Sequence, residues 1–188
     1  GTILASDVLV NVGLAAGYQA KQAEVHGMSQ RGGSVTSFVR WGKLVHSPLV
    51  GAGEVDVLLA FEKLEALRSL NQLRAGAVAL INAQVIEPLT VISGDKTYPD
   101  DESIRAAFAA VTPHAVFVDG EEIARGLGNL RVANVVLLGA LSALLERGKD
   151  AAGPAAGTWL EVISARVPPK HVELNKQAFQ AGREAVGN

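Results

Sequence analysis

The sequence contains no cysteine among its 188 residues. Disulfides are thereby excluded, as is any thiolate-held metal or iron–sulfur cluster within this chain. Aromatic side chains account for only 5%, too few for this chain alone to build a large aromatic ligand pocket. No apolar run reaches the roughly 18 to 20 residues of a membrane span. Nor does a basic segment followed by an apolar stretch mark a leader, so the chain reads as cytoplasmic and without membrane contact. Lys and Arg total 17 against 19 Asp and Glu, a net charge of −2, and no basic run stands out. Nucleic acid is not an expected partner, because binding its backbone needs clustered cations.

What is present is apolar and small. Hydrophobic residues make up 48% of the chain, with Ala, Val, Leu and Gly abundant. This suits helices packed closely on a parallel sheet and one domain with a sizeable core. The expected fold class is α/β, a three-layer α/β/α sandwich around a mostly parallel, Rossmann-like sheet. The single domain spans 1–188, with the α/β core over 1–150 and a helical C-terminal extension over 151–188.

The pattern opens with a buried helix from Thr2 that Gly17 stops. A helix so close to the first residue suggests that a strand and a glycine-rich, cofactor-binding turn precede it, with Gly1 as that turn's last residue. Tyr18–Val25 and Val35–Trp41 read as a strand and its return, and Leu44–Val50 as a short strand limited by Pro48. Glu54–Ala60 followed by a helix over Glu62–Leu73 forms a βα unit. Ala77–Asn82 and Ala115–Asp119 are core strands, and Thr90–Ile92 is a shorter one. Asp100 or Asp101 caps a helix over Glu102–Val111, and another lies near Glu121–Arg125. Arg131–Glu146 is an apolar core or interface helix. Helices over Trp159–Arg166 and His171–Val186 complete the chain.

Polar chemistry concentrates between the first two strands, in Glu24-Val25-His26-Gly27-Met28-Ser29-Gln30-Arg31-Gly32-Gly33-Ser34-Val35. Gly27, Gly32 and Gly33 allow main-chain N–H groups to approach a ligand or a partner chain, while His26, Gln30 and Arg31 supply side-chain contacts. The same composition is also what a long polar turn needs.

Other candidates carry less. His26, His46, His114 and His171 fall on separate elements without ligand spacing, so no metal site is expected. Asp56 and Asp119 could line a cleft at the carboxyl edge of the sheet, or cap a helix or pair with a nearby base. Ser47 before Pro48 could present its hydroxyl to a ligand or serve a turn. Gly126-Leu127-Gly128 reads as a helix-ending turn, since no strand precedes it.

The run EVHGMSQRGGSV, preceded by GTILASDVL and followed by HSPLV and EVDVLLAFEKLEAL, resembles the gamma-type domain of the 2-oxoacid:ferredoxin oxidoreductase family. Within that family it is most similar to the beta subunits of the indolepyruvate branch. INAQVIEP, RVANVVLLGAL and RVPPKHVELNKQAFQAG extend the resemblance over nearly the whole chain.

The resemblance implies a non-autonomous subunit of an enzyme that oxidatively decarboxylates a 2-oxoacid, of indolepyruvate or arylpyruvate type, to an acyl-CoA. Electrons pass to ferredoxin. Thiamine diphosphate, Mg2+, the iron–sulfur clusters and coenzyme A are implied for the complex, with none bound by this chain alone. The implied partner is a large thiamine- and cluster-bearing alpha subunit in a hetero-oligomer, and ferredoxin is reached through the complex. By position Glu24, His26, Gly27, Gln30, Arg31, Gly32, Gly33 and Ser34 fall on the family's signature loop and Ser47 on its S-P-L turn. They form an active-site or partner-facing set without assigned catalytic tasks. A free-standing Rossmann-like nucleotide-binding module and a purely structural assembly subunit are the alternatives that the residues leave open.

Overall fold

The computed structural model describes residues 2–26, 35–148 and 153–187. In chain order the elements are α1 (Thr2–Ala15), β1 (Gln19–His26), β2 (Val35–Gly42), β3 (Val55–Ala60), α2 (Lys63–Arg68), β4 (Leu73–Asn82), α3 (Leu89–Ile92), α4 (Asp101–Ala109), β5 (His114–Val118), α5 (Gly120–Gly126), α6 (Ala133–Glu146), α7 (Ala156–Arg166) and α8 (Val172–Ala185). The residues group into two compact units, 1–50 with 121–188, and 51–120. The C-terminal helices thus share a unit with the first elements.

In the first unit, α1 ends as its sequence dictates. Gly17 adopts φ +84°, which lets Tyr18 N–H bond back to the Gly13 carbonyl and close the helix. α1 packs on the antiparallel hairpin β1–β2 and on α7. Residues Val135 to Ala143 of α6 are all buried, and α8 lies along α6. Buried Leu137, Leu138 and Leu141 contribute roughly 1.5–3 kcal/mol each by leaving water. The sequence-predicted helix over Arg131–Glu146 is therefore a core helix whose first turn, Leu130–Val132, is 3-10.

In the second unit, β3, β4 and β5 form a parallel sheet in that order, the α/β architecture the composition calls for. Alternation along β4 places Ala77, Ala79 and Ile81 in a core with Ala66, Ile104 and Phe108. Leu80, pointing to the other side, is equally buried. Buried parallel strands read as apolar on both faces for this reason.

Three predicted elements are corrected. The helix expected over Glu62–Leu73 ends at Arg68. The Ser69 hydroxyl donates to the Glu65 carbonyl, a 3-10 turn spans Leu70–Gln72, and Leu73 already belongs to β4. The strand expected at Thr90–Ile92 is part of helical turn α3, where the Pro88 carbonyl accepts from Val91 N and Ile92 N. Leu44–Val50 is irregular.

Candidate functional site

The hairpin β1–β2 holds the described ends of the signature run. Strand pairing runs without interruption from Gln19 opposite Gly42 to His26 opposite Val35. Gly27, Gln30, Arg31, Gly32, Gly33 and Ser34 lie outside the described residues, as do Gly1 and the His26 side chain. Glu24 is half-buried and stands opposite Ser37. The Ser37 Oγ and the Trp41 Nε1 are buried without a hydrogen-bond partner among the described residues. Trp41 stacks on Tyr18, with ring centroids 6.4 Å apart, and covers Gly13 of α1 so closely that a Cβ there would meet Nε1 at 2.5 Å.

Lys21 and Arg40 face each other across the hairpin, an arrangement of like charges that is unfavourable unless other groups absorb it. Here carbonyl oxygens do so. Lys21 Nζ donates to the His46 carbonyl at 3.2 Å, and Arg40 Nη1 to those of Ser47 at 3.4 Å and Leu49 at 3.3 Å. Gln19 Oε1 accepts from Val45 N at 3.0 Å. These anchors hold residues 45–49 against the hairpin by side chains, which explains why the apolar run Leu44–Val50 forms no ladder. Ser47 Oγ accepts from Leu49 N at 3.2 Å, so its hydroxyl stabilises a local turn. The Lys21–Arg40 pair lies toward the open end of the hairpin. Sequence reasoning missed Gln19, Lys21 and Arg40 as anchors; only their register reveals it.

A second polar cluster lies at the carboxyl edge of the parallel sheet. Asn82, the last residue of β4, donates to the Phe61 carbonyl at 3.1 Å and accepts from Gly120 N at 3.0 Å, tying together the chain as it leaves all three strands. Glu62, only 6% exposed, caps α2 by accepting from Glu65 N at 2.9 Å. Its other oxygen accepts from Ile86 N at 3.3 Å and from the Tyr98 hydroxyl. The Tyr98 oxygen in turn accepts from Leu64 N at 3.1 Å. Burial first, and then the Glu62 hydrogen bond and charge, push the Tyr98 phenol well above its usual range. Lys63, also buried, pairs with Asp101 at 2.5 Å, while Asp100 caps α4 by accepting from Ser103 N at 2.7 Å. None of these groups was singled out from the sequence except the Asp100–Asp101 cap, because Tyr98 meets Glu62 from far along the chain.

Of the remaining candidates, two take structural roles. Asp56 pairs with Arg74 at 2.6 Å on the exposed surface. Gly128, at φ +81°, ends α5 as expected. Asp119 follows β5. Among the described residues, no group of three or more His, Asp or Glu side chains comes together as a metal site, and no helix is long and apolar enough to cross a membrane. A shallow groove of about 490 Å³ in the first unit is bordered by Leu127, Leu160, Gln177 and Gln180.

Comparison with known proteins places this architecture. A family profile described as pyruvate ferredoxin/flavodoxin oxidoreductase matches residues 1–185. The chain is 39% identical over 188 residues to indolepyruvate oxidoreductase subunit IorB of Thermococcus kodakarensis, covering 99% of this chain and 90% of the relative. It is 40% identical, with the same coverage, to the subunit of that name from Pyrococcus horikoshii. In three dimensions it is similar to the gamma subunit of a keto/oxoacid ferredoxin oxidoreductase from Geobacter sulfurreducens. The TM-score is 0.68 at 24% identity, with 99% of this chain and 91% of the other covered.

Proposed function

The chain belongs to the pyruvate ferredoxin/flavodoxin oxidoreductase family, and from that membership we propose that it is a non-autonomous subunit of a cytoplasmic 2-oxoacid:ferredoxin oxidoreductase acting on indolepyruvate or related arylpyruvates. The observation that carries this reading is the end-to-end match to oxidoreductase subunits at about 40% identity. A free-standing nucleotide-binding module and a purely structural subunit are not favoured by it.

The chain's own donors bear on where the cofactors sit. With no cysteine it offers no thiolate to an iron–sulfur cluster, so the clusters belong to a partner. That partner is a large alpha subunit that also carries thiamine diphosphate and Mg2+, and it delivers electrons to ferredoxin and the acyl group to coenzyme A. Both compact units of this chain form one family domain in the resulting hetero-oligomer. Glu24, His26, Gly27, Gln30, Arg31, Gly32, Gly33 and Ser34, with Ser47, face the active site or the partner. Arg31 and the Gly32 and Gly33 amides engage an anion, a partner carboxylate or a cofactor phosphate. The support is the family membership together with the place of this run in the sequence, between the strands whose pairing extends to His26 opposite Val35.

Oxygen-free affinity purification of the natively expressed protein tests the reading. Co-purification of a brown, thiamine-bearing partner, in a complex that reduces an electron acceptor with an arylpyruvate, is the expected result. A colourless protein that purifies alone and lacks this activity overturns it. Within the complex, Arg31→Ala should lower either assembly or turnover, and no effect on either removes Arg31 from the site.

A further inference from the structure

The buried Glu62 carboxylate receives both ends of one excursion of the chain. Its Oε1 accepts from Ile86 N, where the excursion leaves the strand ends, and from the Tyr98 hydroxyl, where it returns. The first turn of α2 reinforces the same grip, since Lys63 N donates to the Gln84 carbonyl at 3.2 Å and Leu64 N to Tyr98.

Between these anchors the segment makes hydrogen bonds of its own, and at its end the Tyr98 ring packs on the core of the second unit. Val91 N and Ile92 N bond to Pro88, Gly94 N to Val91 and Lys96 N to Thr90. Its surface is largely exposed, including Ile86 at 59% and Ile92 at 66%. Its base is rigid by comparison, because Asn82 cross-links the strand ends and Ala83 N still bonds to the Val118 carbonyl. A segment with internal hydrogen bonds, little burial and tethers concentrated on one group opens as a local unit, below the free energy of global unfolding.

We propose that residues 86–98 form a flap at the carboxyl edge of the parallel sheet, with Glu62 as its clasp, so that opening releases Ile86 and Tyr98 together and uncovers a carboxylate otherwise masked. The carboxyl edge is where open α/β sheets place their ligands. An uncovered Glu62 there is an acceptor for a ligand's cationic or hydroxyl donor. This inference is independent of the oxidoreductase reading.

Hydrogen exchange with mass spectrometry on the natively expressed protein, as purified, tests it through the amides of Ile86, Val91, Ile92, Gly94 and Lys96. In the unaltered protein these should exchange through an opening insensitive to low urea, while the β4 amides exchange only through a urea-dependent one. Tyr98→Phe removes both bonds of the Tyr98 hydroxyl, its donation to Glu62 and its acceptance from Leu64 N, without removing the ring. It should speed exchange of the flap amides about tenfold, as expected for losing a hydrogen bond to a charged group, and leave β4 and β5 at their original rates. Flap and β4 amides that share one urea dependence in the unaltered protein overturn the proposal, as does a Tyr98→Phe variant whose flap rates stay unchanged or whose whole second unit accelerates together.

Discussion

Gly139 on α6 lies directly against the backbone carbonyl of Phe179 on α8, so a methyl group at residue 139 would overlap that oxygen. Gly182 on α8 bears the same relation to the Val136 carbonyl on α6. The two helices approach backbone to backbone because each offers a glycine where the other presents a peptide group. Phe179 then packs its ring on Trp159 of α7, with centroids 6.3 Å apart, and both side chains are fully buried.

Gly139→Ala and Gly182→Ala should each destabilise the protein by roughly 1–3 kcal/mol, the usual cost of overpacking where backbone must move. The double variant should lose less than the sum, because helices already separated by one methyl accommodate the other. Urea denaturation of the three variants measures this, and strict additivity would show that the two glycines act independently.

Asn82→Leu keeps the volume at the end of β4 but strips partners from the Phe61 carbonyl and the buried Gly120 amide. Unpaired buried groups cost about 1–3 kcal/mol each. A loss of roughly 2–4 kcal/mol, read by thermal unfolding, is expected. An unchanged midpoint would mean that water replaces both bonds.

The Tyr98 phenol is held above its ordinary range by burial and by Glu62. A folded-state value raised above the unfolded one contributes stability that is present below the unfolded value and lost as pH rises through the folded one. Phenolate absorbance from Tyr98, isolated as the difference between the unaltered protein and Tyr98→Phe, should therefore appear only beyond the usual tyrosine range and together with alkaline unfolding. Its appearance at the ordinary value in folded protein would contradict the clasp geometry.

Asp100 has the opposite sign. The Ser103 backbone amide, assisted by the Ser103 side chain, lowers its carboxyl below the usual value. Its contribution is present above the unfolded value and lost as pH falls through the folded one. Asp100→Ala should weaken α4 at neutral pH, whereas Asp100→Asn, which retains a capping oxygen, should match the unaltered protein there and lose less on acidification. Urea midpoints at neutral and acidic pH distinguish the three.

Much of the fold was legible in the sequence where one periodic signal dominates. The Gly17 stop of α1, the strands around the signature loop, the apolar strands β4 and β5, a cap at Asp100 or Asp101 and the apolar helix α6 all follow from local pattern. Legibility failed where local preference was weak or overridden. Leu70 and Leu73 continue a helical stripe, yet Ser69 turns the chain and Leu73 enters the sheet. The β-branched run at residues 90–92 is too short to outweigh Pro88, which starts a helical turn. Leu44–Val50 has the composition of a strand, but side chains from the hairpin occupy its carbonyls.

By itself the sequence determined that this chain cannot hold a thiolate-bound cluster, that its core is built from small and branched apolar residues, and that its polar chemistry is concentrated between two strands. Those are properties of composition and of short-range pattern, which no partner element can change. Tertiary structure alone decided that Lys21 and Arg40 meet across a hairpin, that Glu62 clasps residues as distant as Tyr98, and that Gly139 and Gly182 set the approach of α6 to α8. Each depends on register or helix crossing between segments far apart in the chain, and such pairings are chosen by packing and by the need to satisfy buried polar groups rather than by any local preference.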